Sequence, residues 1–305
     1  MSKIRTVRGD IAPETLGVTL LHEHVLTMPS AVVKDRDLEL SNEAVMTMEV
    51  AHLQAAGGRA LVEMSPRDYG RNPAGLKRIS EATGVHIIAI TGWIKEAGYT
   101  QWSSGRSEQA LAEEMIRDIE TGMDDTDIRA GVIKAGSSKG VITPEEAKVL
   151  RAAALAHGKT GALVSTHTEA GTMGVEQAEA LMAGGVPAER ILIGHCDRNM
   201  DWDYHVRLAK LGVTLGYDQI GKEKYFPDSL RVSFIKRLVE AGYGDQIALS
   251  GDLARQAYFP GYGGWRGPGF GYVLWRFAPW LREVGVEAAV IDRMLIETPR
   301  RLLAF

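Results

Sequence analysis

The sequence almost entirely lacks cysteine, since Cys196 is the single cysteine among 305 residues. One thiol cannot form an internal disulfide framework or a zinc site made of several thiolates. No apolar run approaches the roughly 20 residues that a membrane-spanning helix needs. The N-terminal stretch MSKIRTVRGD also lacks the apolar core of a signal peptide. These absences predict a cytoplasmic protein that has no membrane partner.

An excess of one charge is also absent, because 35 Lys and Arg residues face 39 Asp and Glu residues, for a net charge of −4. This balance gives no sign of a nucleic-acid or anionic-membrane partner. The hydrophobic content of 45% and the charged content of 24% are those of an ordinary globular chain. Since α/β barrels often reach this length as one unit, we expect a single domain over residues 1–305.

Short apolar, β-branched runs recur along the chain, and each is followed by a longer stretch of helical composition. The candidate strands are residues 17–21, 59–64, 86–91, 131–135, 162–166, 191–194, 212–215 and 247–250. Strands that alternate with helices in this way indicate βαβ units and a parallel sheet. Eight such units favour a closed barrel over an open sheet, so the predicted fold is α/β, a (β/α)8 TIM barrel.

Two helices have recognisable ends in the sequence. Thr143 and Pro144 predict the N-cap and first residue of a helix that ends near His157, because Gly158 is a natural residue to follow a helix. Thr298 is predicted to cap the last helix, residues 300–303.

A long segment, residues 253–280, follows the eighth predicted strand. Its aromatic residues are Tyr258, Phe259, Tyr262, Trp265, Phe270, Tyr272, Trp275, Phe277 and Trp280. Connections of this length are usually functional or disordered, and so many aromatic side chains argue against disorder. Because they show no period that would place them in a core, we expect a long aromatic loop that folds over the barrel mouth and forms much of the pocket wall.

Six side chains that can bind metal ions fall at the carboxyl ends of five predicted strands. They are His22 and His24 after the first strand, Lys134 on the fourth, His167 after the fifth, His195 after the sixth and Asp252 after the eighth. In a (β/α)8 barrel these strand ends form the active-site face. Residues two apart on a strand point the same way, so His22 and His24 can both face the barrel mouth while Glu23 points outward.

Each of these residues alone has a simpler interpretation. An isolated His-x-His pair can be incidental, Lys134 can be a salt-bridge partner, and Asp252 can cap the next helix. The remaining histidines keep that simpler interpretation: His52, His86, His157 and His205. Six residues at one pole favour a metal site instead. Imidazole suits ions such as zinc, iron and cobalt, and two metals about 3.5–4 Å apart can share a hydroxide.

Together these residues resemble the phosphotriesterase family of the amidohydrolase superfamily, over essentially the whole chain. The segments that carry the resemblance are Leu21-His22-Glu23-His24, Val132-Ile133-Lys134-Ala135-Gly136, Ser165-Thr166-His167-Thr168-Glu169, Gly194-His195-Cys196-Asp197 and Ser250-Gly251-Asp252. The resemblance implies two divalent metal ions, with zinc expected and manganese, cobalt or iron as alternatives. It also implies that CO2 converts the amine of Lys134 to a carbamate that bridges the metals, since a free lysine is a cation with no lone pair for a metal.

The same resemblance divides the six ligands between the two ions. His22, His24 and Asp252 are expected to hold the more buried ion, and His167 and His195 the outer one. Two further segments, residues 221–229 and 251–258, resemble the branch of the family that hydrolyses phosphorylated sugar lactones.

Lysine, arginine and tyrosine grouped at the barrel rim can clamp a phosphate by charge-assisted hydrogen bonds. If the segment after strand seven is extended, Lys222 points away from Lys224. The predicted substrate-binding residues are therefore Lys224, Tyr225 and Arg255, with a solvated basic loop as the alternative.

The resemblance implies a lactonase in which a metal-bridging hydroxide attacks the lactone carbonyl and Asp252 carries the released proton to the leaving alkoxide. The aromatic loop keeps open a phosphotriesterase, or a hydrolase of acyl-homoserine or other apolar lactones. A second alternative is a non-catalytic ligand-binding barrel, which should have lost some of the six ligands. The expected partner is a small-molecule lactone or ester, and a homodimer is left open.

Overall fold

The computed structural model describes residues 2–29, 35–97, 103–264 and 267–305. The strands in these ranges are Ile4–Thr6 (β1), Gly9–Ile11 (β2), Thr19–Glu23 (β3), Ala60–Glu63 (β4), His86–Ile88 (β5), Ile90–Gly92 (β6), Val132–Ser137 (β7), Leu163–Thr168 (β8), Ile191–Ile193 (β9), Thr214–Tyr217 (β10) and Ile247–Leu249 (β11).

The α-helices follow the barrel strands, except that none lies between β5 and β6 and the last three follow β11. They are Glu43–Ala55 (α1), Pro73–Thr83 (α2), Glu108–Glu120 (α3), Pro144–Thr160 (α4), Gly174–Ala183 (α5), Trp202–Leu211 (α6), Asp228–Glu240 (α7), Ala278–Glu283 (α8), Ala288–Asp292 (α9) and Thr298–Leu303 (α10). Among the helices in the described ranges, none is both long and apolar enough to cross a membrane.

Strands β3 to β11 form a parallel barrel in which neighbours follow the chain order. One sheet contains β3, β4 and β5, and a second contains β6 to β11. The two sheets adjoin because β5 and β6 are pieces of one predicted strand, interrupted only at Ala89. The ring closes where the chain after β11 meets β3, with the amide of Asp252 donating to the carbonyl oxygen of His22 at 3.0 Å. The expected (β/α)8 barrel is confirmed.

The predicted strands are all present, but several end later than expected. β3 ends at Glu23 rather than at residue 21, and β8 ends at Thr168 rather than at residue 166. His22 and His167 consequently lie inside strands. The pairing of β3 with β4 is irregular between Leu20 and Glu23. The carboxylate of Glu23, predicted to point outward, lies in the buried contact between β3 and the chain after β11.

An antiparallel hairpin of β1 and β2 precedes the barrel and was not expected from the sequence. Ile4 pairs with Ile11 across the hairpin and with Ala304 after the last helix. Its side chain packs with Leu16 and Leu302 in the apolar cluster that fills the barrel interior. The hairpin and the last helix therefore close the barrel at the end opposite to the carboxyl ends of the strands.

The helix ends are only partly as predicted. Thr143 caps α4 as expected, and its side chain and that of Glu146 form a reciprocal capping box. The predicted end near His157 is wrong, because α4 continues to Thr160 and the left-handed residue is Gly161, with φ of 75°. The prediction that Thr298 is an N-cap is also wrong, since the helix is already continuous at Glu297.

The segment after β11 does not form a single aromatic loop. It contains 3-10 turns at Gln256–Tyr258 and Pro260–Tyr262 and becomes helical from Val273 onward. Phe259, Phe270 and Phe277 are fully buried in the main core, so the expectation that these aromatics form the pocket wall is wrong for them. Burying their apolar area is more favourable than leaving it at the mouth of a hydrated barrel. Trp265 lies outside the described residues.

Candidate metal centre

The six predicted ligands meet in one cavity at the carboxyl ends of the barrel strands. The cavity has a volume of about 290 Å³, and its wall includes His22, His24, Lys134, His167, His195 and Asp252. His167 and Asp252 are partly exposed, whereas the other four side chains are buried. The four remaining histidines do not line this cavity.

His22, His24 and Asp252 form an inner group. The Nε2 atom of His24 lies 3.1 Å from Oδ1 of Asp252, and the Nε2 atom of His22 lies 3.5 Å from the same oxygen. The Nζ atom of Lys134 lies 3.4 Å from Nε2 of His22. Donor atoms that each lie about 2.0–2.2 Å from a shared zinc ion are separated by roughly 3–3.6 Å. These spacings therefore fit a bound cation.

His167 and His195 form an adjoining outer group. The Nδ1 atom of His167 lies 2.9 Å from Nε2 of His195. The ring of His195 also lies 4.8 Å from the ring of His22, measured between ring centres. The two groups adjoin each other and together present nitrogen and oxygen donors, an arrangement that suits two divalent cations.

The protonation of these side chains suits metal binding as well. Burial lowers the pKa of His22 to about 3 and that of His167 to about 4, so both imidazoles keep a free lone pair at neutral pH. Burial also lowers the pKa of Lys134 to about 8. An ammonium has no lone pair for a metal, so Lys134 fits this centre only as the neutral amine or in a modified form.

Asp252 has a φ of 47°, a left-handed conformation that residues other than glycine seldom adopt. Its Oδ2 atom lies 2.6 Å from Nζ of Lys222 and accepts a hydrogen bond from Gln219 at 2.8 Å. Lys222, which was predicted to point away from Lys224 in an extended segment, therefore reaches the site. The segment is not extended, because the chain forms turns here, with the amide of Lys222 donating to the Gln219 carbonyl and that of Tyr225 to the Lys222 carbonyl.

Comparison with known proteins shows which family the chain belongs to. The sequence profile of the Phosphotriesterase family matches residues 2–303. The chain belongs to this family. It is 34% identical over 322 residues to the phospho-furanose lactonase of Mycoplasmopsis synoviae (strain 53), an alignment that covers 99% of this chain and 91% of that protein.

Solved structures of relatives have the same fold. A lactonase from Listeria monocytogenes matches with a TM-score of 0.95 at 35% identity and covers 99% of both chains. The phosphotriesterase homology protein from Escherichia coli, complexed with phosphate in its active site, matches with a TM-score of 0.91 at 38% identity, covering 95% of this chain and 99% of that one. The chain is a metal-dependent hydrolase of the phosphotriesterase family and not a non-catalytic barrel.

Two side chains outside the predicted set orient the histidines of this phosphotriesterase-family site. The carboxylate of Asp218 lies 2.7 Å from Nδ1 of His195 and 3.0 Å from Nδ1 of His22. The hydroxyl of Ser65 lies 2.8 Å from Nδ1 of His24. Partners on the Nδ1 side turn the Nε2 atoms toward the metal site, so Asp218 acts behind the imidazoles. Its position directly after the seventh strand is the signal that could have found it.

The predicted substrate-binding residues do not all reach the cavity. Tyr225 and Arg255 line it, whereas Lys224 lies beside it, 4.8 Å from the ring centre of Tyr225 and 5.4 Å from that of Tyr258. The guanidinium of Arg255 is already paired with Asp35, at 2.7 Å. Arg255 therefore has to share its charge between this aspartate and any anionic ligand.

Arg198 and Lys95 also line the cavity and are missing from the predicted set. The guanidinium of Arg198 lies 3.6 Å from the ring centre of Tyr225. Within the described ranges, Arg198 has no carboxylate at ion-pair distance. Lys95 is paired with Glu169. Arg198 follows the ligand His195 by three residues in the same βα loop, a position at which barrel enzymes place functional residues.

Proposed function

We propose that this chain is a lactonase that opens phosphorylated sugar lactones with the help of two divalent cations. The observation that carries the proposal is the combination, in one small cavity, of the six-ligand centre and a cationic wall. That wall contains Lys95, Arg198, Lys222 and Arg255. Lys95, Lys222 and Arg255 are already paired with carboxylates. A long acyl chain would desolvate Arg198 without pairing it, whereas a phosphate would form charge-assisted hydrogen bonds with it.

The relatives support the same class of substrate. The Mycoplasmopsis protein is a phospho-furanose lactonase, the Listeria protein is a lactonase, and the Escherichia coli protein holds phosphate in its active site. A phosphate and a lactone carbonyl are also the two groups that the cationic wall and the metal centre are chemically suited to bind.

The proposed ligands divide between two cations. One cation would be held by His22, His24 and Asp252 and the other by His167 and His195, and Lys134, as a carbamate formed with CO2, would supply oxygen ligands to the pair. The lowered pKa of Lys134, about 8, favours the neutral amine that this reaction needs. Zinc is the proposed ion, with manganese, cobalt or iron as alternatives. When bound, such cations acidify water and polarise a carbonyl oxygen.

Asp252 is the proposed proton carrier. Its carboxylate accepts the proton of the attacking water and returns it to the ring oxygen that leaves when the lactone C–O bond breaks. Although burial opposes ionisation, the charge of Lys222 helps to hold the pKa of Asp252 well below its usual range. Asp252 is therefore ionised, with a carboxylate oxygen free of a proton, at the start of each turnover.

Arg198 is the proposed anchor for the phosphate. Its guanidinium is stacked on Tyr225, so the planar fork that matches phosphate oxygens is held in place before substrate binds. Arg255 sits at the same cavity, but Asp35 already takes part of its charge. We therefore assign the larger share of phosphate binding to Arg198.

The variant Arg198→Gln tests this proposal through kcat/KM for a phosphorylated furanose lactone and for its unphosphorylated analogue. Loss of a desolvated charge pair costs at least about 2 kcal/mol, so we expect a loss of about thirtyfold or more on the phosphorylated lactone and little change on the neutral one. Arg255→Gln is the matched control, with a smaller loss. A wild type that prefers neutral lactones or organophosphate triesters would contradict the proposal and support an apolar-pocket hydrolase.

A further inference from the structure

We propose that Glu23 is a positioning residue that holds Asp252 in the conformation needed to bind metal. The inference rests on the proposed role of Asp252 as a ligand. Glu23 lies between His22 and His24 in the sequence, and its side chain is fully buried. Its carboxylate does not face the cavity and is directed at the chain that follows β11 instead.

The carboxylate of Glu23 accepts hydrogen bonds from the residues on both sides of Asp252. The Oε1 atom of Glu23 accepts hydrogen bonds from the hydroxyl of Ser250, at 2.8 Å, and from the amide of Gly251, at 2.6 Å. The Oε2 atom accepts from the amide of Leu253 at 3.0 Å. The peptide groups before and after Asp252 are thus tied to the same side chain of β3.

This tie lies where the backbone needs support. Asp252 adopts a left-handed φ of 47°, which is unfavourable for a residue with a side chain and persists only when its surroundings hold it. In the described part of the chain, β3 and β11 share no strand ladder. Side-chain bonds therefore carry most of the connection at this junction of the barrel, together with the single backbone bond from Asp252 to His22.

The geometry links this connection to the ligand atom. The Oδ1 atom of Asp252 lies 3.1 Å from Nε2 of His24, so a small rotation of the peptide at Asp252 would separate the two donors. Glu23 is the last residue of β3, between His22 on that strand and His24 directly after it. It therefore fixes the distance between these two ligands and the ligand after β11, a distance that a bound cation requires to within a few tenths of an ångström.

Both carboxylate oxygens of Glu23 are needed for this function. Its three partners are all donors, which a carboxylate satisfies with two acceptor oxygens. A glutamine has one acceptor oxygen and presents an NH2 group at the other position, so at least one of the amides of Gly251 and Leu253 would face a donor. Glu23→Gln keeps the size of the side chain and removes at least one of the two amide hydrogen bonds.

The test measures metal binding by the purified full chain, with Zn2+ in competition with a chelator and with Co2+ by its visible absorption spectrum. The control is Glu49→Gln, because Glu49 is also fully buried and accepts from the amide of Gly261 at 2.7 Å, in the same segment after β11 but away from the cavity. Hydrogen exchange of the metal-free protein reports on the amides of Gly251 and Leu253 directly.

In Glu23→Gln, we expect the amide hydrogens of Gly251 and Leu253 to exchange faster with solvent. The variant should also bind one of the two cations at least tenfold more weakly and show a changed Co2+ spectrum. Glu49→Gln should keep both affinities. The two variants Glu23→Gln and Asp252→Ala should lose affinity for the same cation. In the Asp252→Ala background, Glu23→Gln should cause little further loss of affinity.

Two results would overturn the inference. One is wild-type affinity for both cations in a Glu23→Gln protein whose Gly251 and Leu253 amides exchange faster. The other is a loss of cation affinity in Glu49→Gln equal to that in Glu23→Gln. If Glu23→Gln does not fold, Ser250→Ala removes one of the three donors, together with the contacts of its hydroxyl to the backbone of His22. Binding of the same cation should become weaker, and unchanged affinity in that variant also counts against the proposal. Failure of the wild type to bind two cations would instead contradict the proposed function.

Discussion

Asp218 lies behind His195, with Oδ1 of the aspartate 2.7 Å from Nδ1 of the histidine. The second oxygen of the same carboxylate lies 3.0 Å from Nδ1 of His22. One buried side chain therefore sets the orientation of an imidazole from each of the two ligand groups. Such partners fix the tautomer of a metal-binding histidine and raise its basicity.

Asp218→Asn should weaken metal binding by about 10- to 100-fold, the usual cost of losing such a partner. The amide has one acceptor oxygen and cannot serve both imidazoles. Affinity is measured by competition with a chelator, with the exposed Asp245→Asn as the control. Unchanged affinity in Asp218→Asn would show that the two histidines are held by their rotamers alone.

Lys134→Ala should lose the ability to bind two cations and nearly all turnover, because the proposed carbamate shared by the inner and outer groups would be lost. Acetate or propionate should restore part of both by placing a carboxylate in the vacated space. Metal content per chain is the measurement, and the exposed Lys159→Ala is the control. Full metal content in Lys134→Ala would remove this residue from the proposed ligands.

Activation of the metal-free protein by CO2 and zinc should depend on the ionisation of Lys134. Burial lowers the pKa of this amine to about 8, and only the neutral amine attacks CO2. At constant dissolved CO2, the activation rate should rise about tenfold per pH unit below about 8 and level off above it. A rate that is independent of pH in this range would argue against carbamate formation.

Phe259→Ala should destabilise the fold without changing substrate preference. Phe259 is fully buried and packs edge-to-face on Phe270, with ring centres 4.8 Å apart. Truncating such a side chain costs about 3–5 kcal/mol in the free energy of unfolding, measured by urea denaturation. Trp275→Ala, at a side chain that is 60% exposed, should change stability by less than about 0.5 kcal/mol. A change in lactone preference in Phe259→Ala would indicate that the Phe259 ring lines the substrate pocket.

Local sequence patterns are sufficient to predict the barrel strands. They fail where the same local pattern is compatible with more than one structure. Apolar runs that alternate with helical stretches predict the strands because both faces of a parallel strand are buried. The end of α4 was placed at the wrong glycine, since Gly158 and Gly161 are equally able to follow a helix and the helix in fact continues to Thr160. The aromatic residues after β11 have no period, so nothing local separates Phe259 in the core from Tyr258 at the cavity.

The sequence by itself determined which side chains reach the active-site face, because the barrel places every strand end at one pole and His22, Lys134 and Asp252 can be counted off from their strands. Only the tertiary structure decided which side chains hold and surround them. Glu23 binds the amide of Leu253 across 230 positions of the chain, and Asp218 contacts His195 across 23. Hydrogen bonds act over about 3 Å in space without regard to separation in sequence, so these partners become visible only when the barrel has closed.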